Sequence, residues 1–221
     1  IGGDSSGDGD FNDLTGTISS WEICEVIDPD DVAEKMAYTS YNMGPVSQPL
    51  GSATSPNALT CQAGVEIPAG DDHATGGYEL SVAPGEDADK VVERYEAQIQ
   101  YWHDGNDLLQ EGEEGWDDSL VYMDEAVEGP WNEGHVLAMQ SFGSSSGSVM
   151  VAMRAENYAV WVYLHIPPDP GIYFGESIGL EGEELEARRE MPFIETEIAQ
   201  WAVEEYAPQV FDTVTTALES E

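Results

Sequence analysis

The chain has 221 residues, 41% of them apolar and 10% aromatic, and sets 45 Asp and Glu against 6 Lys and Arg, a formal charge of -39. Acidic-tail disorder is excluded, because it needs low hydrophobicity as well as high charge; the sign of the field excludes nucleic-acid phosphates and anionic lipid headgroups as partners. Six cations cannot pair 45 carboxylates, so such a surface repels itself in dilute buffer and is expected in concentrated brine, where the Debye length falls to about 3 Å at 1 M.

Residues 1–18 are Gly, Ser, Asp and Thr, with Ile1, Phe11, Leu14 and Ile18 as the larger apolar groups. That is the composition of a flexible tether. Within it Asp4, Ser6 and Asp8 occupy positions 1, 3 and 5 of a calcium loop, with Gly9 at 6 and Asn12 at 9. Position 12 is Thr15, which has no bidentate carboxylate to offer. A salt-soluble spacer explains the same residues, and Ca2+ is the one cofactor the chain suggests.

From Trp21 the character changes. Asp28, Asp30 and Asp31 flank Pro29 ahead of Val32, a helix start with acids at the positive end of the dipole. Pro45, Pro49 and Pro56 with Gly44, Gly51 and Asn57 predict a long surface loop over 42–58. Strands are predicted over 59–67 and 78–82, joined loosely through 70–77. A helix follows over 87–102, with Val91, Val92, Tyr95, Ile99 and Trp102 at the 3.6-residue period and Gly105 ending it.

Four strands are predicted over 119–125, 134–142, 148–155 and 158–166. A two-residue turn at Glu156-Asn157 sets Met153 against Val160, Val151 against Val162 and Val149 against Leu164 on one face. The other face then pairs Ala152 with Trp161, Met150 with Tyr163 and Ser148 with His165. A one-residue slip would destroy that sorting. Beyond Pro167, Pro168 and Pro170 the chain turns helical. Ile194, Ile198, Trp201 and Ala202 form one stripe; Pro208 kinks or restarts the helix, and Val210, Phe211, Val214 and Leu218 continue it.

No stretch reaches the roughly 18 apolar residues of a membrane span. Cys24 and Cys61 read as a disulfide in an exported protein and as two buried thiols in a reducing compartment. The four histidines, His73, His103, His135 and His165, lack the i, i+4 spacing of a zinc helix, although His135 and His165 fall in strands that are potential neighbours. Ser144, Ser145 and Ser146 lie in a hairpin loop rather than at a nucleophile elbow, and no phosphate loop is present. The aromatic face is the most informative surface. Trp161 and Tyr163, with Met150 and His165, are candidate ligand-binding residues, extended by Trp131 and Trp116. The alternative is that these side chains are core.

The segment Ile23-Cys24-Glu25-Val26-Ile27-Asp28-Pro29, the later Cys61-Gln62-Ala63-Gly64-Val65, and the hairpin over 149–166 resemble small secreted lipoproteins of unknown function from actinobacteria. The Gly/Asp/Ser start also looks like the tether that follows the lipid-bearing cysteine of haloarchaeal lipoproteins. The resemblance implies a PsbP-like α+β fold and an anchor outside this chain, and it carries no catalytic residue over.

The expected architecture is a tether over 1–18 and an α+β domain over 19–221. The domain has a single antiparallel sheet of five to seven strands, with the two main helices on one face. The expected role is an exported, membrane-tethered, salt-adapted module that binds a cell-surface ligand or protein. A carboxylate-based or metal-dependent hydrolase and a subunit of an envelope complex are the alternatives.

Overall fold

The computed structural model describes residues 8–53, 55–105, 121–140 and 146–220. In chain order the elements are α1 (Asp8–Ser19), α2 (Ile23–Val26), α3 (Asp30–Lys35), β1 (Ser40–Gln48), β2 (Leu59–Ala69), β3 (Asp72–Pro84) and α4 (Ala88–Gly105). Then come β4 (Val121–Ala126), β5 (Glu133–Gln140), β6 (Gly147–Arg154), β7 (Tyr158–Ile166), α5 (Pro170–Ser177), α6 (Gly182–Glu186), α7 (Glu195–Trp201) and α8 (Ala207–Glu219). The strands form one antiparallel sheet in the order β1-β2-β3-β7-β6-β5-β4, the α+β class expected from the sequence.

The β6–β7 hairpin adopts the register that its side-chain sorting demands, with Val151 opposite Val162 and Ala152 opposite Trp161. Both faces of this hairpin are apolar, so both must be covered. The face of Val149, Val151, Val160 and Val162 lies under α1–α3 and α7–α8. Phe211 of α8 stacks on Tyr158 and meets Trp131 edge to face. Among the described residues the helix over the face of Met150, Ala152 and Trp161 is α4, through Val91, Tyr95 and Trp102, with Ala58 beside it. The two main helices therefore take opposite faces, not the single face expected, because period-2 alternation sends large apolar groups both ways.

Three local differences have physical causes. Residues 8–19, read as tether, form α1; Ile18 is fully buried and Leu14 packs beside it. One i, i+4 apolar pair suffices to seat a helix that its composition disguises. Residues 42–48, part of the stretch read as loop, belong to edge strand β1, where Pro45 is tolerated and the register shifts between Tyr41 and Val46. The β2–β3 connection is tight: Ala69 pairs with Asp72 across Gly70 and Asp71, and Gly70 supplies the positive φ of 60°.

Two ties close the first face. Cys24 in α2 is disulfide-bonded to Cys61 in β2, which fits a non-reducing environment. Asp169, only 1% exposed, accepts hydrogen bonds from Ile172 N at 3.0 Å, Glu190 N at 3.0 Å and Met191 N at 2.7 Å. It thereby caps α5 and moors the strand-like approach to α7. In the C-terminal helix Pro208 has no N–H to offer the preceding turn, and that turn opens into a π-helix over Ala202–Tyr206. Among the described residues no helix is long and apolar enough to cross a membrane.

Candidate functional site: a cleft on the half-covered face

Among the described residues α4 packs chiefly on β3, β7 and β6, which leaves the β2 side of that face without a helix. Two rows of residues run across the sheet there. One row is Thr60, Ser81, Trp161 and Ala152; the next is Gln62, Glu79, Tyr163 and Met150. On β2 and β3 these rows are polar, and on β7 and β6 they are aromatic or apolar. Among the described residues the polar half has no helix above it. The segment at 55–58 and the side chains Gln98, Tyr101 and Trp102 of α4 form opposing walls, and together they enclose a cleft of about 700 Å³.

The floor carries a chain of buried hydroxyls. Ser55 Oγ donates to the Ala58 carbonyl at 2.5 Å. Its single proton is thereby used, so Thr60 Oγ1, 2.9 Å away, donates to Ser55. Ser81 Oγ lies 2.8 Å from Thr60 Oγ1 and 3.4 Å from Glu79 Oε1, and one proton serves only one of them at a time. Glu79 reaches solvent at the cleft mouth. Loss of hydration against the wall nevertheless pushes its carboxyl above the usual carboxylate range, partly offset by the Ser81 hydroxyl. A protonated Glu79 donating to Ser81 would complete the chain; an ionised one competes with Thr60 for the Ser81 proton.

The aromatic wall has an unused donor. Trp161 is 6% exposed, and its Nε1 is buried with no hydrogen-bond partner among the described residues. Buried indole N–H groups normally find an acceptor. Tyr163 Oη is 3.5 Å from Ser148 Oγ, and Tyr101 stands 68% exposed on the rim. No Lys or Arg is among the described lining residues.

The four residues singled out on the aromatic face divide. Trp161, Tyr163 and Met150 line the cleft. His165 is two residues beyond Tyr163 on the same face, outside the lining, and burial holds its pKa below the ordinary imidazole value. Trp131 belongs to the opposite core, its Nε1 donating to the Val127 carbonyl at 3.0 Å. Trp116 lies outside the described residues, as do Asp4 and Ser6 of the calcium candidate. Asp8 and Asn12 fall in α1, and their side chains also lie outside what is described. His135 and His165 are not on neighbouring strands, because β6 separates β5 from β7. Ser55, Thr60, Glu79, Ser81, Gln98 and Tyr101 were not legible as site residues. Alternating polar positions on β2 and β3 look like a solvated face until α4 and the 55–58 segment rise beside them.

No protein-family model, curated protein or solved structure matches this chain.

Proposed function

We propose that this chain is an exported, salt-adapted binding module. Its cleft holds an uncharged, hydroxyl-bearing ligand of the saccharide class. In keeping with the lipoproteins its sequence resembles, we place it at the cell surface on a lipid tether. The observation that carries the ligand reading is the composition of one concave surface: flat aromatic rings facing hydroxyl, carboxamide and single-carboxyl groups, with an unsatisfied indole donor and no cation. Sugar faces stack on aromatic rings, and sugar hydroxyls both donate and accept, which suits a wall whose Ser81–Glu79 link can shift its proton. An anionic ligand would meet no counter-charge there.

The hydrolase reading draws less support. Acid–base cleavage of a glycosidic bond uses two carboxyl groups flanking it, and Glu79 is the only one among the described cleft residues. Membership of an envelope complex has one observation in its favour: Tyr173 and Phe174 of α5 and Ile178 just after it are each more than half exposed. A sedimentation measurement in brine tests it, with self-association or co-sedimentation the supporting result.

Titration with neutral oligosaccharides in 3 M KCl, followed by tryptophan emission, tests the ligand class. Saturable quenching that Trp161→Phe weakens supports it; no response to any neutral glycan, with a response to acidic ones, overturns it. Salt adaptation has its own test. The melting temperature should rise steeply from 0.1 M to 3 M KCl as the carboxylate repulsion is screened, and a flat response contradicts it.

A further inference from the structure

The far end of the same open face holds a different constellation. His103 stands in the last turn of α4, Asp124 on β4 and His135 on β5. His135 Nε2 is 2.8 Å from Asp124 Oδ1, and His103 Nε2 is 3.5 Å from that same oxygen. All three donor atoms lie within 4.8 Å of one another. The imidazoles are 6.3 Å apart between ring centres and tilted by 54°, so they do not stack. The side chains are 30%, 39% and 21% exposed in that order, reachable by an ion but held by their surroundings. The placement follows from the fold: Asp124 pairs with Leu137, His135 is two residues from Leu137 on the same face, and His103 at the end of α4 reaches Asp124.

We propose that His103, Asp124 and His135 bind one divalent transition-metal ion of the Zn2+ or Co2+ kind, with the remaining coordination positions open to water. Three considerations support this. In a tetrahedral site with bonds of about 2.0–2.1 Å, neighbouring donor atoms stand about 3.3 Å apart; the observed 2.8 and 3.5 Å straddle that spacing, and small side-chain rotations reach it. A hydrogen bond from His135 Nε2 to Asp124 accounts for one contact, yet it leaves unexplained why a second imidazole nitrogen approaches the same oxygen from another element. Finally, two imidazoles and a carboxylate form a donor set that prefers Zn2+, Co2+, Ni2+ or Cu2+ to Mg2+ and Ca2+. In a chain with 45 carboxylates, hard cations spread over many oxygens, and this donor set is what would single out a softer ion. The site is independent of the cleft and of its proposed ligand.

The test uses Co2+ as probe on the chelator-stripped full chain in 2 M sodium sulfate with excess Mg2+, which occupies the scattered carboxylates. One equivalent should bind saturably and give visible absorption stronger than that of hydrated Co2+, and Zn2+ should displace it. His103→Gln and His135→Gln should each weaken binding by more than the roughly 10–100-fold lost with an outer hydrogen-bonding partner of a metal ligand. The wild-type chain provides a readout that does not depend on the variants folding. Zn2+ should protect His103 and His135 from diethyl pyrocarbonate, while His73, outside the constellation, continues to react. No saturable equivalent, binding unchanged in both variants, or equal reactivity of the three histidines with and without Zn2+ overturns the proposal.

Discussion

The two faces of the sheet are built from the same strands and do opposite things. The face under α1–α3 and α7–α8 is closed: its valines are fully buried, a disulfide and a buried carboxylate tie its cover down, and Phe211 is held between Tyr158 and Trp131. The face under α4 is half open, and it carries the hydroxyl chain, Glu79, Trp161 Nε1, which has no partner among the described residues, and the His–Asp–His group. Several elements share the cover of the closed face, whereas α4 is a single helix roughly 27 Å long, at 1.5 Å per residue over 18 residues. In the proposed reading, stability and binding fall to different sides of one sheet.

Substitutions sharpen that division. The largest effect is expected on the closed face. Replacing Cys24 and Cys61 by Ser opens a loop of sequence separation 37 and should cost about 4 kcal/mol in the chain-entropy picture. At about 2–4 °C per kcal/mol for a chain of this size, the melting temperature should fall by about 8–16 °C, with ligand and Co2+ binding at low temperature unchanged. Asp169→Ala comes next. It strands three backbone N–H groups, each costing about 1–3 kcal/mol when buried and unpaired, so denaturant unfolding should show a loss of about 3 kcal/mol or more. A wild-type midpoint would mean that the mooring of the approach to α7 is redundant.

The open face should answer in the reverse sense. Trp161→Phe keeps the ring packing under α4, so its stability cost should stay below about 1.5 kcal/mol, while the cleft loses its indole donor and affinity drops. Equal affinity in the two proteins would return Trp161 to the status of plain core. The smallest effect is at Glu79. Its folded-state pKa is raised by burial, so between the unfolded and folded values the folded chain holds the extra proton. Stability is then greatest below that window and declines as pH rises through it. Glu79→Gln should match the parent in acid and melt slightly higher at neutral pH; parallel pH profiles would show that the carboxyl is solvated as in the unfolded chain.

Some of this was legible beforehand, for local reasons. The β6–β7 register followed from sorting six aliphatic residues onto one side. Helix α4 followed from the spacing of Val91, Tyr95 and Trp102, and Gly105 is its last residue. Trp161 and Tyr163 stood out because a hairpin with one aliphatic face has an odd second one. By contrast, β1 was hidden by Pro45 and the prolines that follow it, α1 by its glycines and aspartates, and the hydroxyl chain by its resemblance to an ordinary solvated strand. His103 and His135 are 32 positions apart in the numbering and share no motif; only the approach of the end of α4 to β4 and β5 brings them together.

From residue types and their spacing alone came the α+β class, the alternation of the hairpin, the charge regime and the pairing expected of two cysteines in an oxidising setting, because these depend on neighbours a few positions apart or on sums over the whole chain. Which face each helix covers, where cover runs out, and which distant side chains meet in the gap were decided by packing. That choice minimises exposed apolar area over the entire sheet at once, and no local stretch of sequence contains it.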